Sequence, residues 1–316
     1  MTDLERAREL WKLDREADAL PLVVRHLAAE PESAAGWRLL ANCQSVLGGR
    51  DEALAAARRG FHLDPEEPWS HWTLSDVEAL HGRTAEAVDL SRSGLRLWPQ
   101  FWYGHTHLAR RLLLADQATE ARRHIARALE LEPEMVWSHT VLAEIEEYDG
   151  DAASAIAQWR QVLALEPDNA DAMQRLSSLQ LRTGRVGTAL SGFTTAAGLE
   201  PEDPLHALHV SWGLRLLLNR LYYVTTALAG VLGTLWLFSE VDQPARLLVG
   251  GLGLAGVATA AHRTHRGLPR GAKAQLAMFV RRGQSLFRTW VATRGMAVVV
   301  VALAVLPRLP PIWEWH

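Results

Sequence analysis

The chain has 316 residues and a formal charge of only -3, a total that by itself points to no particular class of partner. A single cysteine, Cys43, excludes an internal disulfide framework and suits a reducing compartment. The charge is divided unevenly: residues 1–204 carry 21 basic and 33 acidic side chains, net -12, and the remainder 12 basic and 3 acidic, net +9. Such an asymmetry points to different surroundings for the two parts.

Met1 to Lys12 begins with acids and has no apolar core behind basic residues, so no targeting signal is expected there. From Pro31 onward six prolines recur 34 residues apart, at Pro31, Pro65, Pro99, Pro133, Pro167 and Pro201. A fixed period of this length means one supersecondary unit stacked on copies of itself, each too small to bury its own apolar face. With position zero two residues past each proline, position 7 is Leu40, Leu74, Leu108, Leu142 and Leu176. Position 8 is small (Ala41, Ser75, Ala109, Ala143, Ser177) and position 20 is Ala53, Ala87, Ala121, Ala155 and Ala189. Position 15 is Gly48, Gly82, Gly150 and Gly184, with Asp116 the exception. Each unit therefore reads as two helices joined at a glycine that accepts a left-handed backbone and closed by a proline that cannot continue a helix.

At these residues the chain resembles the tetratricopeptide repeat family, over residues 1 to about 201, with residues 1–31 a degenerate opening repeat in which Leu10 and Ala19 keep step. The resemblance implies an all-α, right-handed superhelical solenoid of about six helix-turn-helix repeats over residues 1–204. The family's aromatic at position 11 is absent (Gln44, Glu78, Leu112, Glu146, Gln180), and only Trp159 and Phe193 supply the one at position 24, which leaves the local packing open. In this family the first helix of each unit lines a concave face. By register that face holds Arg38 and Asn42, then Trp69, Trp72 and Asp76, then Tyr103, Thr106, His107 and Arg110, then Trp137, Thr140, Glu144 and Glu147. The large aromatics either anchor a bound protein or peptide or pack between units. Arg38 and Asn42 match the first pair of the family's carboxylate-gripping positions, but Tyr103 and His107 replace the later basic ones. An acidic domain with an aromatic groove favours an extended segment with apolar side chains and some positive charge.

A capping helix is expected over residues 205–220. Residues 221–239 follow without a charge, about 28 Å of helix against the roughly 30 Å of a bilayer core. Further spans are expected at about 245–262 and 295–313, giving a helical transmembrane domain over residues 221–316. Between them Arg263, Arg266, Arg270, Lys273, Arg281, Arg282, Arg288 and Arg294 stand without an acid, whereas Glu240 and Asp242 follow the first run. Positive charge stays on the cytoplasmic side, so the repeats are expected in the cytoplasm, at a bacterial inner membrane. Phe279, Phe287 and Trp290 share one helical face in residues 272–292 while Arg281 and Arg282 lie off it, suited to anionic lipid head groups; the alternative is a helix packed on the repeats.

Chemistry finds little support. Gly251, Gly253 and Gly256 have dinucleotide-loop spacing but lie inside an apolar run, where small residues serve helix packing. His71, His105 and His139 share position 4 of successive repeats, too far apart to ligate one metal. No cofactor, metal or nucleic acid is expected, and no catalytic residue. The readings are a membrane-anchored adaptor that captures a partner protein, a regulatory or structural subunit of a membrane transport or export complex, and a soluble regulator whose apolar tail packs as its own core.

Overall fold

The computed structural model describes residues 2–200 and, beyond them, residues 208–210, 212–214, 216, 223 and 227. The expected spans, apart from residues 223 and 227 of the first, the basic amphipathic helix with Phe279, Arg281, Arg282, Phe287 and Trp290, and most of the capping helix lie outside the described residues. Among the described residues no helix is long and apolar enough to cross a membrane. The chain divides into two units, Met1–Glu166 and Pro167–His316.

The first unit contains ten helices in five antiparallel pairs: α1 (Asp3–Lys12) with α2 (Glu16–Ala29), α3 (Ala34–Val46) with α4 (Arg50–Leu63), α5 (Pro68–Leu80) with α6 (Thr84–Leu97), α7 (Trp102–Leu114) with α8 (Ala118–Leu131), and α9 (Val136–Tyr148) with α10 (Ala152–Leu165). Each helix also packs on the next in sequence, and the odd-numbered helices touch one another in order, α1 on α3, α3 on α5, α5 on α7 and α7 on α9. They form one layer and the even-numbered helices the other.

The repeat positions explain the pairing. All five alanines at position 20 are fully buried, and Ala41, Ser75, Ala109, Ala143 and Ser177 at position 8 are at most 1% exposed, so the paired backbones approach closely. Gly48, Gly82, Gly150 and Gly184 have φ between +74° and +88°, the left-handed conformation that ends the first helix of each pair. Asp116 takes the same conformation (φ +57°), as does Asp14 (φ +54°) at the corresponding place in the opening repeat. Aspartate is among the few residues that enter this region at low cost. Thr2 closes a capping box with Glu5, and Ser33 and Asp151 cap α3 and α10.

Position 4 has a structural task. Trp37 Nε1 donates to the Pro31 carbonyl at 2.8 Å, and the Nε2 of His71, His105 and His139 meets the carbonyls of Pro65, Pro99 and Pro133 at 2.9, 3.1 and 2.8 Å. In α3, α5, α7 and α9 a ring N–H thus staples the first helix of the pair to the proline that follows the preceding one.

In the second unit, α11 (Ala170–Arg182) and α12 (Val186–Leu199) pair across Ala189 and Phe193, and Val210 and Leu214 are buried against α12. The described residues 208–210, 212–214 and 216 are helical, within the range read as a cap.

Candidate functional site

Tryptophan, tyrosine and phenylalanine gather on the inner faces of α5, α7 and α9. Trp69 lies 4.6 Å from Tyr103 between ring centroids, and Tyr103 lies 4.8 Å from Trp137, so one aromatic strip crosses three successive odd-numbered helices. Trp72 packs edge-on to Trp69 at 5.1 Å beneath the strip, and Phe101 stacks on Trp98 at its margin. Trp69 is 38% exposed, Tyr103 and Trp137 are half-buried, and Trp72 is buried.

Trp72 fits because two glycines face it. A Cβ on Gly94 of α6 would stand 2.6 Å from Trp72 Nε1, and one on Gly104 of α7 would stand 2.8 Å from Trp72 Cζ2. The indole therefore occupies space that any other residue at either position would fill.

Beside the strip a recess of about 360 Å³ opens between α1, α3, α5 and α7. Arg8, Trp11 and Lys12 of α1, Arg38 and Asn42 of α3, and Trp69, Asp76 and Tyr103 are in its lining. Arg38 donates to Ser70 Oγ at 3.0 Å, and partial burial lowers its pKa, with Glu67 and Asp64 partly offsetting that cost. Burial and the nearby Asp76 charge raise the Tyr103 phenol, which stays protonated at ordinary pH.

Asp76 keeps 43% of its side-chain area accessible at the floor of the recess, yet it is firmly held. His107 Nε2 donates to its Oδ1 at 2.8 Å, and Arg111 reaches the same oxygen at 3.2 Å. Burial opposes the charge, but His107 and Arg111 outweigh it and hold the carboxyl below the usual carboxylate range. Burial likewise depresses Arg111, and Asp76 offsets part of that. Behind His107, its Nδ1 meets the hydroxyl of Ser91.

Serine, histidine and aspartate thus stand in one hydrogen-bonded row that sequence reasoning did not find, because the three residues come from α6, α7 and α5. The row runs the wrong way for nucleophilic catalysis. Ser91 is fully buried while the carboxylate faces the open recess, so the hydroxyl has no access to a substrate carbon. Its effect is to fix Asp76.

The remaining expected groove residues divide by depth. Thr106 and His107 are buried beneath the face, Thr106 sharing a 2.7 Å hydrogen bond with Ser138 of the next repeat. Arg110 is exposed and approaches Glu144 at 4.0 Å. Thr140 bonds back to the Val136 carbonyl at 3.0 Å, and Glu147 accepts from Trp159 Nε1 at 2.6 Å. Arg8, Trp11 and Lys12 were missed, although they sit at positions 9, 12 and 13 of the opening repeat, all groove positions once the register is carried back one unit.

His105 Nδ1 lies 3.1 Å from His124 Nδ1 with ring centroids 5.4 Å apart. The nitrogens face each other end to end, which is a hydrogen bond and not two lone pairs converging on a metal. Among the described residues no group of three or more metal-ligating side chains assembles.

Comparison with known proteins agrees with this architecture. Residues 140–204 match the model of the tetratricopeptide repeat. The chain aligns with the APC/C hetero-tetramer Cut9–Hcn1 at a TM-score of 0.58 and 15% identity, over 67% of this chain and 42% of that one, so it spans less than half of that chain's length. It aligns with PilW, a widely conserved type IV pilus biogenesis factor, at 0.55 and 14% identity, over 66% of this chain and 95% of that one. It aligns with TTC0263, a thermophilic TPR protein of Thermus thermophilus, at 0.54 and 21% identity, over 58% and 99%. No curated protein matches the sequence. The described part of the chain is an all-α helical solenoid. Its fold is like that of tetratricopeptide-repeat solenoids.

Proposed function

We propose that this chain is a membrane-anchored adaptor whose cytoplasmic solenoid captures an extended segment of a partner protein on the inner face of α1, α3, α5, α7 and α9. The observation that carries the reading is the aromatic strip Trp69–Tyr103–Trp137, half open to solvent beside the recess. Rigid aromatic rings bury a large area at little entropic cost and commonly anchor interfaces. Tetratricopeptide proteins serve as protein-interaction scaffolds, which supports the same reading.

The anchoring half rests on sequence: the uncharged residues 221–239, the shorter apolar runs at about 245–262 and 295–313, and the acid-free basic segment between the last two. Anionic head groups suit the arginines of that segment, and tethering raises the effective concentration of whatever the groove holds. No cofactor or nucleic acid enters this function.

Two measurements test it. Full-length protein should pellet with membranes after cell breakage and stay there through a carbonate wash; recovery in the supernatant removes the anchor. In-cell crosslinking followed by purification in mild detergent should recover a partner protein with wild type and not with Trp69→Ala/Trp137→Ala, and equal recovery removes the groove.

A further inference from the structure

The repeats are acidic as a whole, and from net charge alone the groove would suit a positively charged ligand. The recess is different. Its lining carries Arg8, Lys12 and Arg38 against a single carboxylate, Asp76. The ion pairs sharpen that imbalance. Asp76 already faces His107 at 2.8 Å and Arg111 at 3.2 Å. Lys12 pairs with Glu9 at 2.8 Å. Among the described residues no carboxylate comes within ion-pair distance of Arg8 or of Arg38, whose hydrogen bond goes to the neutral Ser70 hydroxyl.

Arg38 is the more informative of the two. It is half-buried, and removal from water disfavours its charge more than Glu67 and Asp64 restore it, so an anion delivered to the recess recovers part of the interaction energy that solvent no longer supplies. The opposite wall is apolar and aromatic. Trp69 and Tyr103 stand 4.6 Å apart, and Trp11, 38% exposed, closes the α1 side. A volume of about 360 Å³ is at the lower end of the range for small-ligand pockets, which suits one or two side chains and not a folded partner.

We infer that the recess takes an acidic segment of the partner, in which a large apolar or aromatic side chain enters against Trp69 and Tyr103 while a neighbouring Asp or Glu carboxylate engages Arg8 and Arg38. The inference rests on the groove reading above and adds the chemistry of what the groove selects. The carboxylate is a side chain beside an aromatic anchor. Charge at the rim sets which partners approach, and the aromatic wall supplies the buried area.

The test is a random peptide library displayed on phage and selected against the full-length protein in detergent. Recovered peptides are then measured for binding by fluorescence anisotropy. The expected result is enrichment of peptides that combine an aromatic residue with Asp or Glu. Their affinity should be lost with Trp69→Ala, fall about tenfold with Arg8→Gln/Arg38→Gln, and weaken with added salt. Arg8→Gln alone should weaken binding about threefold, and since Arg8 is exposed and unpaired, that variant separates lost binding from lost folding. Peptides that need Trp69 but are basic or neutral, or that ignore both arginines, overturn this inference and leave the groove standing. Failure to enrich any peptide over a protein-free control, or binding indifferent to Trp69, overturns both.

Discussion

Asp76 Oδ1 accepts from His107 Nε2 at 2.8 Å, and through that bond a recess-facing carboxylate on α5 is tied to a buried ring on α7. Replacing Asp76 by Ala leaves the buried Arg111 guanidinium without a carboxylate and His107 Nε2 without an acceptor. The expected cost is about 1 to 3 kcal/mol, below the usual penalty for breaking a fully buried pair because Asp76 is partly accessible. The pH dependence has a definite sign. The folded carboxyl is held below its ordinary value of 3.8, so its contribution is complete above that value and disappears as pH falls through the lower folded one. Urea midpoints measured below pH 5 should therefore fall less steeply with acid in Asp76→Asn than in wild type.

Gly94 and Trp72 make a second pair that can be tested. Alanine at position 94 gains up to about 1 kcal/mol of helix propensity but drives its methyl to 2.6 Å from Trp72 Nε1 and 3.1 Å from His71 Cβ. Overpacking of about 1 to 3 kcal/mol exceeds that gain, so Gly94→Ala should destabilise the protein. Trp72→Phe withdraws the clashing nitrogen. In a double-mutant cycle the Gly94→Ala penalty should shrink in the Trp72→Phe background, and strict additivity would show that the glycine has no part in seating the indole.

Much of the solenoid was legible because the 34-residue period, the alanines at position 20 and the glycines at position 15 each report one physical need, close approach or a left-handed turn. Even the exception, Asp116, keeps the glycine conformation. What the sequence left open was position 11, where Glu78 and Glu146 stand in place of an aromatic. The structure answers with charge: Arg58 of α4 and Arg83 reach Glu78, and Arg122 of α8 reaches Glu146 and Asp149. Most of these pairs join residues far apart in sequence, and no single-residue pattern announces them. The groove was legible as positions but not as depth. Trp72, Thr106 and His107 fall in register with Trp69 and Tyr103, and only the packing of α6 and α7 around them decides which are covered.

The Arg122 bridge gives a third prediction. Glu146 is 10% exposed at its side chain, and both its oxygens face the Arg122 guanidinium, whose own pKa is raised by these hydrogen bonds and those to Asp149. Arg122→Ala should cost about 1 to 3 kcal/mol, chiefly by leaving a buried carboxylate unpaired. Glu146→Gln in the same background should recover part of the loss, because a neutral amide tolerates that site better. Guanidinium or urea unfolding of the three proteins checks the order, and a double variant less stable than Arg122→Ala would contradict it.

The repeats contain an internal control for acid sensitivity. His139 Nδ1 meets the side-chain amide of Gln158 at 3.1 Å, and one repeat earlier His105 Nδ1 meets His124 Nδ1 at the same distance. His105 Nε2 already donates to the Pro99 carbonyl, so its Nδ1 is the acceptor and His124 supplies the proton. Protonating His105 puts two N–H groups face to face. Burial lowers the pKa of both rings, and for His124 the neighbouring His105 lowers it further. A histidine with a depressed folded pKa contributes stability that is full above its unfolded value of 6.5 and is lost as pH falls through the folded one. His124→Gln keeps a hydrogen-bonding partner of the kind found at Gln158 and removes one titrating ring. Its unfolding free energy from urea titration should match wild type at pH 7.5 to within about 0.5 kcal/mol and should drop less between pH 7.5 and 5.5. Identical acid sensitivity in the two proteins would place the pH response elsewhere in the solenoid.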